Sequence, residues 1–140
     1  MNKAKKMLSF AILALVLTIG IASSSAGQLY HFDKTLKKNS AWLEMEQHTM
    51  TTTANEGYVR VTNKGGTSSL AFKARGQWWD GKKWNYTKYG PTTTVTTEAI
   101  RYTVYYMQSL SSSMPVYLSV RNNTSTTATP RITGYWQFDR

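Results

Sequence analysis

The stretch RGQWWDGKKWNYTKY, residues 75–89, restricts the fold more than any other part of the chain, because Asp80-Gly81 sits between two runs that favour extended backbone. Asp-Gly readily takes the positive φ angles of a two-residue type I′ turn, and flanking aromatic residues favour strands. Paired strands are therefore predicted at Leu70–Trp79 and at residues 82–89. A two-residue turn would set Trp79 opposite Lys82, Gln77 opposite Trp84 and Arg75 opposite Tyr86 on one face, with Lys73 and Lys88 facing each other further along. The other face carries Leu70, Phe72, Ala74, Gly76 and Trp78 on one strand and Asn85, Thr87 and Tyr89 on the other, which makes it the better candidate for the core. A three-residue turn with a bulge would instead turn Trp84 and Tyr86 inward.

The rest of the chain repeats this pattern in shorter pieces. Residues 28–40 lack clear periodicity and read as an N-terminal arm or a short helix. Leu43 and Met45 alternate with Trp42, Glu44, Glu46 and His48, as in a strand running into a threonine-rich segment. Asn55-Glu56-Gly57 marks a turn before the alternating residues 58–62, and Asn63-Lys64-Gly65-Gly66 breaks the chain ahead of the central hairpin. Residues 92–107 form a long β-prone run, either one bent strand or two meeting near Glu98. Val116, Leu118 and Val120 alternate with Tyr117, Ser119 and Arg121, and Ile132, Trp136 and Phe138 share a face with Gly134. These short strands, separated by Gly, Pro, Asn and Ser, predict an all-β domain: an antiparallel β-sandwich or partly open barrel of about seven strands.

The first 26 residues read differently. Lys3, Lys5 and Lys6 precede an apolar run over residues 7–22, and small residues follow to Ala26. That order is expected of a secretory signal helix cut after Ala26, with a retained membrane anchor as the competing reading. The expected organisation is thus a signal peptide, 1–26, and a single secreted domain, 27–140. With those three lysines gone, 14 of the 17 basic residues face 7 acidic ones, a net +7. The sequence has no cysteine, so an exported domain would rely on packing alone.

Outside a cell, a basic surface meets anionic lipid or acidic polymers. The hairpin face offers both charge and flat apolar rings. Lys73, Arg75, Trp79, Lys82, Trp84, Tyr86 and Lys88 are the candidate ligand-binding residues: the rings would stack on a sugar or interface while the cations attract anionic groups. Four cations near an anionic surface give only about 4 kcal/mol, roughly millimolar affinity, whereas each stacked ring could add about 1–3 kcal/mol. The structural alternative is a set of cross-strand stabilisers, with Arg75 stacked on Tyr86.

Glu44, Glu46 and His48 would share a face of one strand, at a spacing open to two-carboxylate or metal chemistry, but the wet face of a half-buried strand has the same composition. No Ser/His/Asp or glycine-rich phosphate motif is present. The expectation is a secreted, non-enzymatic protein without cofactor or metal, bound to an anionic cell-wall polymer or glycan. A bacteriocin-like, membrane-active toxin acting on an anionic membrane surface is the second reading. Nucleic acid is the least favoured partner because of the predicted export.

Overall fold

The computed structural model describes residues 28–139, so the predicted signal peptide lies outside the described residues. Within them there are ten strands and no helix. The first sheet runs in the order β1 (Leu29–Thr35), β10 (Arg131–Gln137), β4 (Ala54–Asn63), β8 (Arg101–Leu110), every pair antiparallel. In the second, β5 (Leu70–Trp79) pairs along most of its length with β9 (Pro115–Asn122). The short β2 (Leu43–Glu44) and β3 (His48–Thr49) lie on the far side of β9. The free side of β5 is shared by β7 (Thr93–Val95) near its start and β6 (Trp84–Tyr86) at its end.

One apolar core lies between the sheets. Phe32, Val59, Val61, Val104, Ile132 and Trp136 of the first sheet meet Leu70, Phe72, Ala74, Val116, Leu118 and Val120 of the second, all buried. The rings of Phe32 and Phe72 approach to 6.2 Å across the interface. Period-two alternation placed these side chains on the inner faces, and removing them from water is the main driving force for the fold.

Several expectations change. Among the described residues the fold is all-β and antiparallel as expected, but with ten strands rather than about seven. Residues 28–40 contain a strand, β1, where an arm or short helix was expected; β1 gains regularity from pairing along all of β10 rather than from its own periodicity. Residues 55–57 are not a turn but the start of β4, with a register shift between Ala54 and Glu56 that absorbs the irregularity as a bulge. Of the two readings of the threonine-rich run, the structure has the second: two strands, β7 and β8, either side of Glu98, belonging to different sheets. Ala99 between them takes φ +62°.

The central hairpin keeps β5 as predicted and changes its turn. Trp79 pairs with Trp84, Trp78 with Asn85 and Gln77 with Tyr86, so four residues connect the strands instead of two. Asp80 causes this: its Oδ1 accepts the backbone N–H groups of Lys82 at 2.8 Å and Lys83 at 2.9 Å, and its Oδ2 accepts Asn85 Nδ2 at 2.8 Å. The carboxylate thus substitutes for a backbone acceptor, while Gly81 supplies the positive φ, +94°. These bonds hold the Asp80 carboxyl below the usual carboxylate range. Lengthening by two residues preserves side-chain parity, so the outward set remains outward despite the changed pairing.

Candidate functional site

The outer face of the second sheet carries a column in which cations and rings alternate. The guanidinium of Arg121 lies 4.6 Å from the ring of Trp42, and Lys73 Nζ sits 4.2 Å from that same ring. Lys73 is also 4.0 Å from the ring of Tyr89. Arg75 continues the order, 4.7 Å from Tyr89 and 3.7 Å from Tyr86, whose ring lies 5.6 Å from Tyr117. The strand registers explain the arrangement, since Lys73 and Arg75 on β5 face Ser119 and Tyr117 on β9. Glu44, brought alongside by the pairing of β2 with β9, completes it. Its Oε2 accepts Arg75 at 2.8 Å and the Tyr89 hydroxyl at 2.7 Å.

Each cation–ring contact is worth about 0.5–1 kcal/mol at an exposed site and more where water is excluded. Burial, with Arg121 and Arg75 close by, draws the Lys73 pKa below the ordinary lysine value, and Glu44 opposes this. Burial is also the main reason that Tyr89 is raised. Lys73 and Lys88 were expected to face each other; instead Lys73 lies between two rings and Lys88 is exposed.

Tyr89 was expected to face the core. Instead the backbone shifts by one residue between Thr87, whose N–H bonds Gly76, and Gly90, whose N–H bonds Ala74, and this delivers Tyr89 to the outer face. Gly90 is required at that step, because a methyl group there would overlap the Tyr105 carbonyl.

Beyond Gly76, β5 has no β9 partner, so the hairpin tip projects past the sheet. There Trp79 and Trp84 stand side by side, ring centroids 5.6 Å apart, and remain 52% and 47% exposed. Tyr86 is 49% exposed behind them. Trp78 emerges on the opposite side of the same tip, 41% exposed, where a core position was expected; the core ends before it. Lys82, Lys83 and Lys88 are exposed around these rings, and no ion pair engages them among the described residues.

The seven candidate residues thus divide. Trp79, Lys82, Trp84, Tyr86 and Lys88 form the accessible tip, while Lys73 and Arg75 are half-buried in the column that supports it. Trp42, Tyr89, Tyr117 and Arg121 complete this surface without having been singled out. Only the alternation of Tyr117 and Arg121 with buried valines pointed toward them.

Glu44, Glu46 and His48 do not form one cluster, because the strand breaks between β2 and β3. Glu44 serves Arg75 and Tyr89, and Glu46 pairs with Lys34. His48 packs against Tyr30 at 3.9 Å, Phe138 at 5.4 Å and Trp136 at 5.5 Å. Burial there lowers its pKa.

No protein-family model matches the sequence, and no curated protein matches it. Among solved structures the chain is similar to one titled "Crystal structure of PirA", with 13% identity and a TM-score of 0.40 over 84% of this chain and 98% of that one. It is also similar to a chain of "Structure of infectious bursal disease virus Gt strain", with 11% identity and a TM-score of 0.40 over 80% of this chain and 30% of that one. The chain thus spans less than a third of the viral protein's length, and neither likeness carries an argument about function.

Proposed function

We propose that this is an exported, non-enzymatic protein that binds an anionic or glycan-bearing cell-envelope surface through the tip of its central hairpin. One observation carries the reading: Trp79, Trp84 and Tyr86 present about half of their surfaces to solvent on one face of a projecting hairpin ringed by Lys82, Lys83 and Lys88. The rings stack on a sugar or settle at an interface, and the lysines bring the tip to an anionic polymer. Three lysines contribute about 3 kcal/mol near such a surface, and each stacked ring adds about 1–3 kcal/mol, so useful affinity depends on the aromatics. Lys73 and Arg75 act indirectly, holding Tyr86 and Tyr89 in place.

Trp78 supports the second reading, a bacteriocin-like action on membranes. With rings on both faces, the tip suits insertion at an anionic lipid interface, where tryptophan is favoured. Co-sedimentation of the purified protein with intact Gram-positive walls and with anionic liposomes, at low and high salt, separates the two. Envelope binding predicts retention on walls, weakened by salt and lost in a Trp79→Ala/Trp84→Ala variant. Preferential pelleting with liposomes, together with dye leakage, would favour the membrane reading. Unchanged retention of the variant would return the tryptophans to a structural role.

A further inference from the structure

The outer face of the first sheet holds a cavity of about 280 Å³, lined by Leu29, Tyr58, Arg60, Arg101, Tyr135 and Gln137. Strand register builds it from two adjacent cross-strand rows. One row runs Tyr135, Arg60, Arg101 across β10, β4 and β8, and the other runs Leu29, Gln137, Tyr58 across β1, β10 and β4. Arg60 and Arg101 stand directly opposite each other, an arrangement that like charges disfavour. Elsewhere the sheets neutralise or cover their arginines: Arg75 has Glu44 and two rings, Arg121 has Trp42, and Arg131 has Asp33 at 2.6 Å. Among the described residues, no hydrogen bond, ion pair or ring contact engages the guanidinium of Arg60 or Arg101.

We propose that this cavity binds a small organic oxyanion, a carboxylate or phosphate monoester carrying a body about the size of one six-membered ring. Two guanidinium groups lining one cavity can each present paired N–H donors to the oxygens of such a head, which also offsets their mutual repulsion. Tyr58, Tyr135 and Leu29 supply apolar walls for the body, and the Gln137 amide supplies a polar contact. The volume lies near the lower end for small-molecule sites, about 300 Å³, so the ligand is a single small unit rather than a polymer segment. This site is on the other sheet from the hairpin and stands independently of it.

The test is isothermal titration of the purified protein with benzoate, phenyl phosphate, inorganic phosphate and the uncharged benzyl alcohol. Benzoate or phenyl phosphate is expected to bind at least about tenfold more tightly than benzyl alcohol, and the stronger of the two identifies the head group. Inorganic phosphate is expected to bind more weakly than the ring-bearing anions. Arg60→Gln and Arg101→Gln should each weaken binding at least about tenfold, while Trp79→Ala/Trp84→Ala leaves it unchanged. The melting temperatures of the two glutamine variants should hold or rise, because the like-charge contact is relieved. Benzyl alcohol binding as tightly as the anions, inorganic phosphate matching them, affinity unmoved by either glutamine substitution, or no binding at millimolar concentration would overturn the proposal. A marked fall in either melting temperature would also overturn it, by assigning the guanidinium a structural role.

Discussion

At the residue scale, the two histidine-bearing sites of the chain differ in what surrounds the imidazole. His31 lies edge-on to Tyr135 on an outer face, whereas His48 is wedged among Tyr30, Trp136 and Phe138. Burial disfavours the charged imidazolium of His48, so its folded pKa lies below the ordinary 6.5. As pH falls, the unfolded chain takes up that proton first. The stability associated with neutral His48 is therefore fully present above 6.5 and declines as pH falls below it toward the lowered folded value. His48→Phe keeps the ring contacts and removes the proton site, so the urea midpoint of the variant should change less between pH 7 and about pH 5 than that of the parent. An identical pH slope in the two proteins would show that His48 does not govern this window. The shared face that strand alternation suggested for Glu44, Glu46 and His48 depended on a continuous strand, and the break at residues 45–47 gives the three side chains separate partners.

At the element scale, β5 positions both halves of the proposed binding surface. Its middle contributes Lys73 and Arg75 to the ring-and-cation column, and its end carries Trp78 and Trp79 beyond the sheet. The column depends on side chains from distant segments, and Trp42 is its most testable member because it covers two cations, Lys73 and Arg121. Trp42→Ala should destabilise the protein by about 1–2 kcal/mol in urea unfolding, the sum of two partly desolvated cation–ring contacts. The same change admits water to Lys73, whose pKa should rise toward the ordinary lysine value when followed by NMR titration. A destabilisation within error of zero would mean that the column is a surface arrangement without energetic weight. The hairpin turn makes the same point about reach. Asp80-Gly81 identified where β5 reverses, but the capacity of the Asp80 carboxylate to cap two backbone N–H groups and Asn85 decided that the loop has four residues. The outward set was legible only because the error was an even number of residues.

At the scale of the whole molecule, two sheets share one core, and the core has no substitute: no cysteine is present to cross-link the chain. Phe72, fully buried in the middle strand of the second sheet and facing Phe32, should be among the most costly positions to truncate. Phe72→Ala is expected to lower unfolding stability by about 3–5 kcal/mol, with fluorescence and far-ultraviolet dichroism reporting a single coincident transition. Separate transitions would mean that each sheet has an independent core. The sequence by itself determined the fold class, most strand positions and the parity of the core, because period-two alternation and turn residues are local properties that survive any arrangement of strands. It also placed Trp79 and Trp84 on the outward face of the hairpin, with lysines around them, but assigned the exposed Trp78 to the core. Only the tertiary structure decided which strands are neighbours, and with that the identity of each cation's partner. Tyr89 reaches the outer face through a one-residue backbone shift, Trp42 reaches Lys73 through the pairing of β2 with β9, and Arg60 meets Arg101 because β4 and β8 align at that register. These contacts join residues far apart in sequence, and their geometry comes from hydrogen-bond register rather than from the local preferences that a sequence displays.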